Sequence, residues 1–165
     1  MTSIAYRDGV FAADSRETWE SEAGGTVIRT CQKLFRKRIG KRDVVIATAG
    51  GTYAGMIFVD WYGSSKPVPE ILADLDTEED FAVLVHDRGK LFHANHLCRL
   101  VEVQDPFTAV GSGYKAALAA MHCGRSAREA VRIACLLDPY SSLPIATMRA
   151  GLSAPKRRVS LAGSR

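Results

Sequence analysis

A threonine hydroxyl becomes a useful nucleophile only with a base beside it, and one arrangement takes that base from the threonine's own α-amino group. A free α-amine has a pKa of about 7.7–8, so an appreciable fraction is neutral near working pH and can accept the hydroxyl proton. The arrangement requires threonine to be the first residue of the mature chain. Here Thr2 directly follows Met1. Threonine is small enough for removal of the methionine, so a freed Thr2 amine is expected. Taken alone, a threonine at this position is a weak signal.

Two other patterns invite chemistry and are set aside on spacing. Gly111-Ser112-Gly113-Tyr114-Lys115-Ala116 fits the G-x-G-x-x-G/A dinucleotide fingerprint. That fingerprint has meaning inside a βαβ unit with an acidic residue about 20 positions on, and here a helical pattern occupies that stretch. His93, His96 and Cys98 have a metal-like look. On a strand His93 and His96 point to opposite faces, and no fourth ligand is suitably spaced, so they read as ordinary histidines near a turn. Tyr53 and Trp61 suit helix packing better than a cofactor box.

Residues 3–7 and 10–14 read as strands joined by the turn Asp8-Gly9, a strong hairpin signal. Residues 15–25 are polar, end in Gly24-Gly25, and read as a loop. Residues 27–36 and 44–49 read as two further strands, the second apolar throughout as expected when both faces are covered, with a turn around Gly40 between them. Ala54, Ile57, Phe58 and Trp61 recur with helical spacing, and Gly63-Ser64-Ser65 stops that helix. The stretch 67–79 is a polar connection that can hold a short helix. Residues 81–86, 90–94, 99–103 and 108–110 read as strands, the first two joined by Asp87-Arg88-Gly89. Two helices follow: 114–122, rich in alanine and stopped at Gly124, and a second running to about Leu137. Ser126 and Glu129 are spaced for a capping box on the second, which would turn Ala127, Val131, Ala134 and Cys135 to one face before Asp138-Pro139 ends it. Residues 143–149 and 158–161 read as weak closing strands. Strands in runs and helices in separate runs predict mainly antiparallel sheets in layers, an α+β chain and not an alternating parallel one.

The chain has 165 residues, 47% of them hydrophobic, which suits one domain over 1–152 with a basic tail over 153–165. Net charge is +4, with basic clusters at Arg36, Lys37, Arg38, Lys41, Arg42 and at Lys156, Arg157, Arg158, Arg165. Both lack interleaved aromatic residues, so they read as a solvated hairpin tip and a terminus rather than a nucleic-acid surface. Cys31, Cys98, Cys123 and Cys135 form no C-x-x-C pair and read as buried free thiols in a reducing compartment. No apolar run approaches the ~18 residues of a membrane span, and the first residues lack a secretory layout, so a cytoplasmic protein without membrane contact is expected.

Six short segments in order carry a resemblance. Thr2-Ser3-Ile4-Ala5-Tyr6, the strand from Gly9 to Arg16, Lys33 in Cys31-Gln32-Lys33-Leu34, and Thr48-Ala49-Gly50-Gly51 resemble the front half of a proteasome β subunit. Ala109 to Gly113 resembles the family's Gly-Ser-Gly turn opening a helix, and Asp138-Pro139-Tyr140-Ser141 its Asp-x-x-Ser segment. The first hairpin is a few residues shorter than in most proteasome subunits, and the turn around Gly40 a few longer. HslV peptidase and the small bacterial proteasome homologues are resembled equally, and the match runs from residue 2 to about 150.

That resemblance implies the Ntn-hydrolase fold, a four-layer αββα sandwich of two mainly antiparallel sheets between helical layers. It also implies a threonine endopeptidase that forms an acyl-enzyme on Thr2. By the same resemblance Lys33 would set an ammonium beside the Thr2 hydroxyl, Asp14 would hold Lys33, and Gly50 would offer its N–H to the oxyanion. Asp14 and Lys33 fall in mainly apolar strands, and buried charges need partners, which favours their pairing. Ser112, Asp138 and Ser141 would support the Thr2 amine, although both serines also suit cap and turn roles. Thr18, Cys31, Thr48 and Thr52 match positions of substrate contact, and Glu17 also follows the first hairpin. These positions imply no strong selectivity for acidic side chains. No cofactor or metal is required. Expected partners are identical subunits in stacked rings of about six or seven, a peptide or unfolded-protein substrate, and, in such assemblies, an ATP-dependent unfoldase. Two alternatives stay open: a ring or scaffold subunit without chemistry, and an Ntn amidohydrolase or transpeptidase acting on a non-protein amide.

Overall fold

Alternation along the first hairpin decides the layering. In β1 (Ile4–Arg7) and β2 (Val10–Ala13), Ile4, Phe11 and Ala13 pack toward a second sheet, while Ala5 and Ala12 face helices. The structure is a computed structural model that describes residues 2–21, 23–73, 81–95 and 98–151. The expected strand over 158–161, the tail over 153–165, and His96 lie outside the described residues.

Three sheets form: β10-β1-β2-β11, the pair β3-β4, and β5-β6-β7-β8-β9. The remaining strands are β3 (Arg16–Glu20), β4 (Thr26–Thr30), β5 (Leu34–Ile39), β6 (Arg42–Gly50), β7 (Phe81–Asp87), β8 (Lys90–Asn95), β9 (Leu100–Glu102), β10 (Phe107–Val110) and β11 (Ala146–Arg149). Every strand pairing among the described residues is antiparallel. The helices are α1 (Thr52–Trp61), the short α2 (Glu70–Ala73), α3 (Tyr114–His122) and α4 (Ala127–Leu137).

The unbroken apolar run of β6 serves two cores. Val44 and Ile46 meet Phe58, Tyr62 and Leu72 under α1 and α2, while Val45 and Ala47 face Ile4, Phe11 and Val110 of the other sheet. On the far side Ala5, Ala12 and Ala109 meet Ala117, Ala120, Ala130 and Ala134 of α3 and α4. Alanine on both partners lets these helices approach the sheet closely, and added methylenes there would force backbone shifts. The result is the αββα order: α3 and α4, sheet, sheet, α1 and α2.

The capping box on α4 is present in full, with Glu129 N donating to Ser126 Oγ at 3.3 Å and Ser126 N donating to Glu129 at 3.1 Å. Ser126→Ala should cost about 1 kcal/mol and lower the melting temperature by ~2–4 °C, a shift that a thermal melt would register.

Four expectations need correction. Residues 16–20 are a strand and not part of a loop. The β3-β4 hairpin sets charged and polar side chains across its strands, Glu17 opposite Arg29 among them, so it has no continuous apolar face to reveal it. Residues 27–36 are not one strand. The chain pairs with β3 through Thr30, crosses at Cys31-Gln32-Lys33, and pairs with β6 from Leu34. The hairpin tip around Gly40 is not simply solvated: Arg42 pairs with buried Asp87, which also accepts the Tyr62 hydroxyl at 3.1 Å, and Lys37 Nζ donates to the carbonyls of Val59 and Asp60 at 2.6 and 2.7 Å. The Tyr62 phenol is pushed up to about 12 by burial and then by Asp87. Of the cysteines, Cys98 is buried, Cys31 and Cys135 half-buried, and Cys123 exposed, so the last is not the buried thiol expected of it.

Candidate active site

Thr2 sits at the head of β1, 2% exposed, where the two sheets meet. Asp14 directly follows the last residue of β2, Ala13, and the crossing between β4 and β5 delivers Lys33. Their side chains are 0% and 5% exposed, and Lys33 Nζ lies 2.8 Å from Asp14 Oδ1. Lys33 Nζ also donates to the Arg16 carbonyl at 2.6 Å. Asp14 accepts three backbone N–H groups besides: Ser3 at 2.8 Å, Arg16 at 2.9 Å and Ser142 at 3.2 Å. A buried pair in which both partners are hydrogen-bonded to the surrounding chain can be tolerated, whereas either charge alone could not.

Behind Thr2 runs a second polar chain. Thr2 N donates to Ser112 Oγ at 3.2 Å, and Ser112 Oγ donates to Asp138 Oδ2 at 2.6 Å. Ser141 Oγ donates to the same carboxylate oxygen at 2.6 Å and lies 2.7 Å from Ser3 Oγ. Burial alone would raise the Asp138 pKa, but hydrogen bonds from Ser112, Ser141 and the Tyr140 N–H hold it below the ordinary carboxylate value. A depressed folded-state pKa means stability present above the unfolded value near 3.8 and lost as pH falls through the folded one.

The turn Gly111-Ser112-Gly113 fits tightly around the first residues. A Cβ at Gly111, whose φ is +90°, would lie 2.1 Å from the Thr2 carbonyl oxygen, and one at Gly113 would lie 1.9 Å from Ser3 Oγ. These contacts account for the glycines of the dinucleotide-like pattern, and α3 leads into α4 rather than into a strand. Gly113→Ala should drive Ser3 Oγ from Ser141 and cost about 1–3 kcal/mol, the usual range for overpacking. Equilibrium unfolding would measure it, and a variant as stable as the parent would contradict the fit.

In front of Thr2 lies a cleft of about 170 Å³, lined by Thr18, Cys31, Lys33, Thr48, Gly50 and Thr52 as well as by Glu17. Burial pushes the Cys31 thiol up, so the wall it contributes is uncharged. Gly51 and Thr52 at the rim open α1, whose N-terminus has no side-chain cap. The structure therefore brings every candidate residue to one place: Thr2, Asp14, Lys33 and Gly50 at or beneath the cleft, Ser112, Asp138 and Ser141 behind it, and Thr18, Cys31, Thr48 and Thr52 along its walls.

No family model matches the chain, and no curated protein does. Solved structures do. BPH from Thiobacillus denitrificans, in complex with epoxomicin, superposes with a TM-score of 0.61 at 20% identity, covering 93% of this chain and 99% of that one. Anbu (ancestral beta-subunit) from Yersinia bercovieri gives 0.66 at 16% identity over 90% and 80% of the two chains. HslV from Trypanosoma brucei gives 0.58 at 18% identity over 89% and 97%. The chain has the proteasome β-like Ntn-hydrolase fold. At these identities the likeness speaks to the fold alone.

Within this Ntn-hydrolase fold, Ser3 and Ser15 hold places to which no role is assigned from sequence, and Glu17 is read there only as following the first hairpin. Ser3 is fully buried and joins the polar chain behind Thr2. Ser15, also buried, donates to the Pro144 carbonyl at 2.8 Å and ties the end of β2 to the loop that follows α4. Glu17 enters the cleft wall with Thr52 and Arg29 bonded to its carboxylate. A serine after the threonine, or a glutamate in a polar stretch, carries no local signal of such a position. Among the described residues no helix is long and apolar enough to cross a membrane.

Proposed function

We propose that this chain is a threonine endopeptidase subunit that acts once loss of Met1 frees the Thr2 amine. The observation that carries the reading is the buried Lys33–Asp14 pair beneath a cleft whose wall includes Thr2. A fold does not need a buried ion pair for stability, since apolar replacements often serve as well. An ammonium fixed beside a hydroxyl does lower the cost of forming an alkoxide.

In the proposed reaction the neutral Thr2 amine takes the Oγ proton and Oγ bonds to the substrate carbonyl carbon. The carbonyl electron pair moves to oxygen, and the Gly50 N–H stabilises that oxyanion. One such donor is worth roughly 10²–10³ in rate. The uncapped start of α1 adds partial positive charge on the same side. Collapse re-forms the carbonyl and breaks the C–N bond, the leaving amine takes the proton held by the Thr2 amine, and an ester on Thr2 remains. Water, giving its proton to the amine, then attacks the ester, and Oγ departs with that proton. Ser112, Asp138 and Ser141 orient the amine throughout.

The proposed assembly is a homo-oligomer with the clefts enclosed. Anbu from Pseudomonas aeruginosa forms a helical assembly, and Tyr53 and Met56 of α1 and Ile28 of β4 are exposed apolar side chains suited to subunit contacts. A cytoplasmic setting and an unfoldase partner belong to the same proposal.

Epoxomicin is a suitable probe, because T. denitrificans BPH was solved with it. Intact mass and N-terminal sequencing of the purified protein should show Thr2 as the first residue. Epoxomicin should add its mass to Thr2 and stop cleavage of fluorogenic peptides. A processed, assembled sample that neither cleaves peptides nor takes the probe would sink the peptidase reading.

A further inference from the structure

We infer that Glu17 sets the specificity of the cleft, selecting arginine or lysine as the substrate residue whose carbonyl meets Thr2. This inference rests on the threonine-peptidase reading and names its substrate class.

The cleft wall is mixed: Trp19 and Phe35 contribute rings, and threonines and charged groups the rest. Thr48 is 8% exposed and packs so closely on α1 that a Cβ at Gly55 would lie 2.8 Å from its Oγ1. Thr52 and the neutral Cys31 continue the wall, and Glu17 supplies the one carboxylate among the lining residues. The rings can cover the apolar stem of an arginine or lysine side chain while the Glu17 carboxylate meets its charged end, whereas an acidic side chain would meet that same carboxylate.

The Glu17 carboxylate is held in place. One oxygen accepts the Thr52 hydroxyl and the other the Arg29 Nε, and the side chain is 16% exposed. Burial raises its pKa, but the hydrogen bonds from Arg29 and Thr52 bring it below the ordinary value, so it is ionised at neutral pH. A carboxylate offers about four acceptor positions, and these partners use two of them.

The neighbouring cations are engaged differently. Lys33 is committed to Asp14 and the Arg16 carbonyl, and Arg16 donates to the Pro139 carbonyl at 2.6 Å. Arg29 is a rim residue, 55% exposed and lying 4.8 Å over the Trp19 ring. Only the Arg29 side of this pair is open to solvent, and a pair with an exposed partner contributes little, so an incoming guanidinium or ammonium can share or take its place on Glu17.

The test uses processed protein and a panel of fluorogenic peptides that differ only at the residue before the scissile bond: Arg, Lys, Gln, Leu and Glu. The arginine and lysine peptides should exceed the leucine peptide in kcat/KM by about tenfold or more, the range one well-matched pocket contact provides. The glutamate peptide should be slowest. Glu17→Gln keeps the shape and removes the charge, and should reduce the Arg-to-Leu ratio by about tenfold. Arg29→Ala, at an exposed position, should raise that ratio through a lower KM for the arginine peptide. The assignment is overturned if leucine is preferred, if epoxomicin labels Thr2 but the cationic peptides are not cleaved, or if neither variant moves the ratio. Failure of both labelling and all cleavage would instead overturn the peptidase reading itself.

Discussion

Thr2→Ala is expected to abolish peptide cleavage, with kcat/KM falling by on the order of 10⁴–10⁶, the range seen when the nucleophile of a covalent hydrolase is removed. Epoxomicin labelling should vanish with it. Stability should change little, because the contacts that seat residue 2 are made by its backbone. Its carbonyl accepts the Gly113 N–H at 3.4 Å and lies 3.3 Å from Ser112 Oγ, and its nitrogen donates to Ser112 Oγ. Thr2→Ser keeps a hydroxyl and should keep a measurable fraction of the activity. The base adds a pH signature. Cleavage should rise as pH passes through roughly 7–8, where an α-amine loses its proton. A chain that keeps Met1 should be inactive at every pH, since its Thr2 nitrogen is an amide without a usable lone pair. Full activity in Thr2→Ala, or in a preparation that mass spectrometry shows to retain Met1, would remove Thr2 from the chemistry.

Variants at the buried pair should lose both stability and activity, and in a definite order. Lys33→Ala leaves Asp14 buried, yet that carboxylate still accepts the N–H groups of Ser3, Arg16 and Ser142. The cost should lie near the low end of the ~3–5 kcal/mol for breaking a buried pair. Asp14→Ala removes the acceptor of those three amides and of Lys33 at once, and should reach the high end or prevent folding. Lys33→Arg offers a gentler probe: it keeps the charge but not the compact ammonium, so the fold should survive better than the rate. Denaturant unfolding and kcat measured together decide the matter. If Lys33→Ala were as active as the parent, the ammonium would have no part in activating Thr2. If Asp14→Ala were as stable as the parent, the buried network would not be holding the strand ends together.

Much of this arrangement was legible in local patterns, because those patterns have local causes. Asp8-Gly9 and Arg88-Gly89 turn two hairpins, since Asp8, Gly9, Arg88 and Gly89 all take positive φ there. The helix over 114–122 and the box formed by Ser126 and Glu129 depend on neighbours a few residues apart and needed no tertiary information. The candidate residues themselves were reachable because short segments kept the order seen in proteasome β subunits, from Thr2 through Gly50 to Ser141.

Other features were settled only by contacts distant in sequence. Residues 16–20 are polar and became β3 because a partner strand faces them. The strand-like stretch from Val27 onward gave no sign of where the chain changes sheets, and that change is what places Lys33 beside Asp14, 19 residues earlier. Ser3 reaches Ser141 across 138 residues, and Ser112 reaches Thr2 across 110. Spacing and residue type determined that Thr2 could carry an N-terminal nucleophile's chemistry, since the requirement lies within one residue. Only the packed sheets decided what surrounds it, because hydrogen-bond geometry, burial and the pairing of Glu17 with Thr52 arise from chain segments that meet nowhere in the sequence.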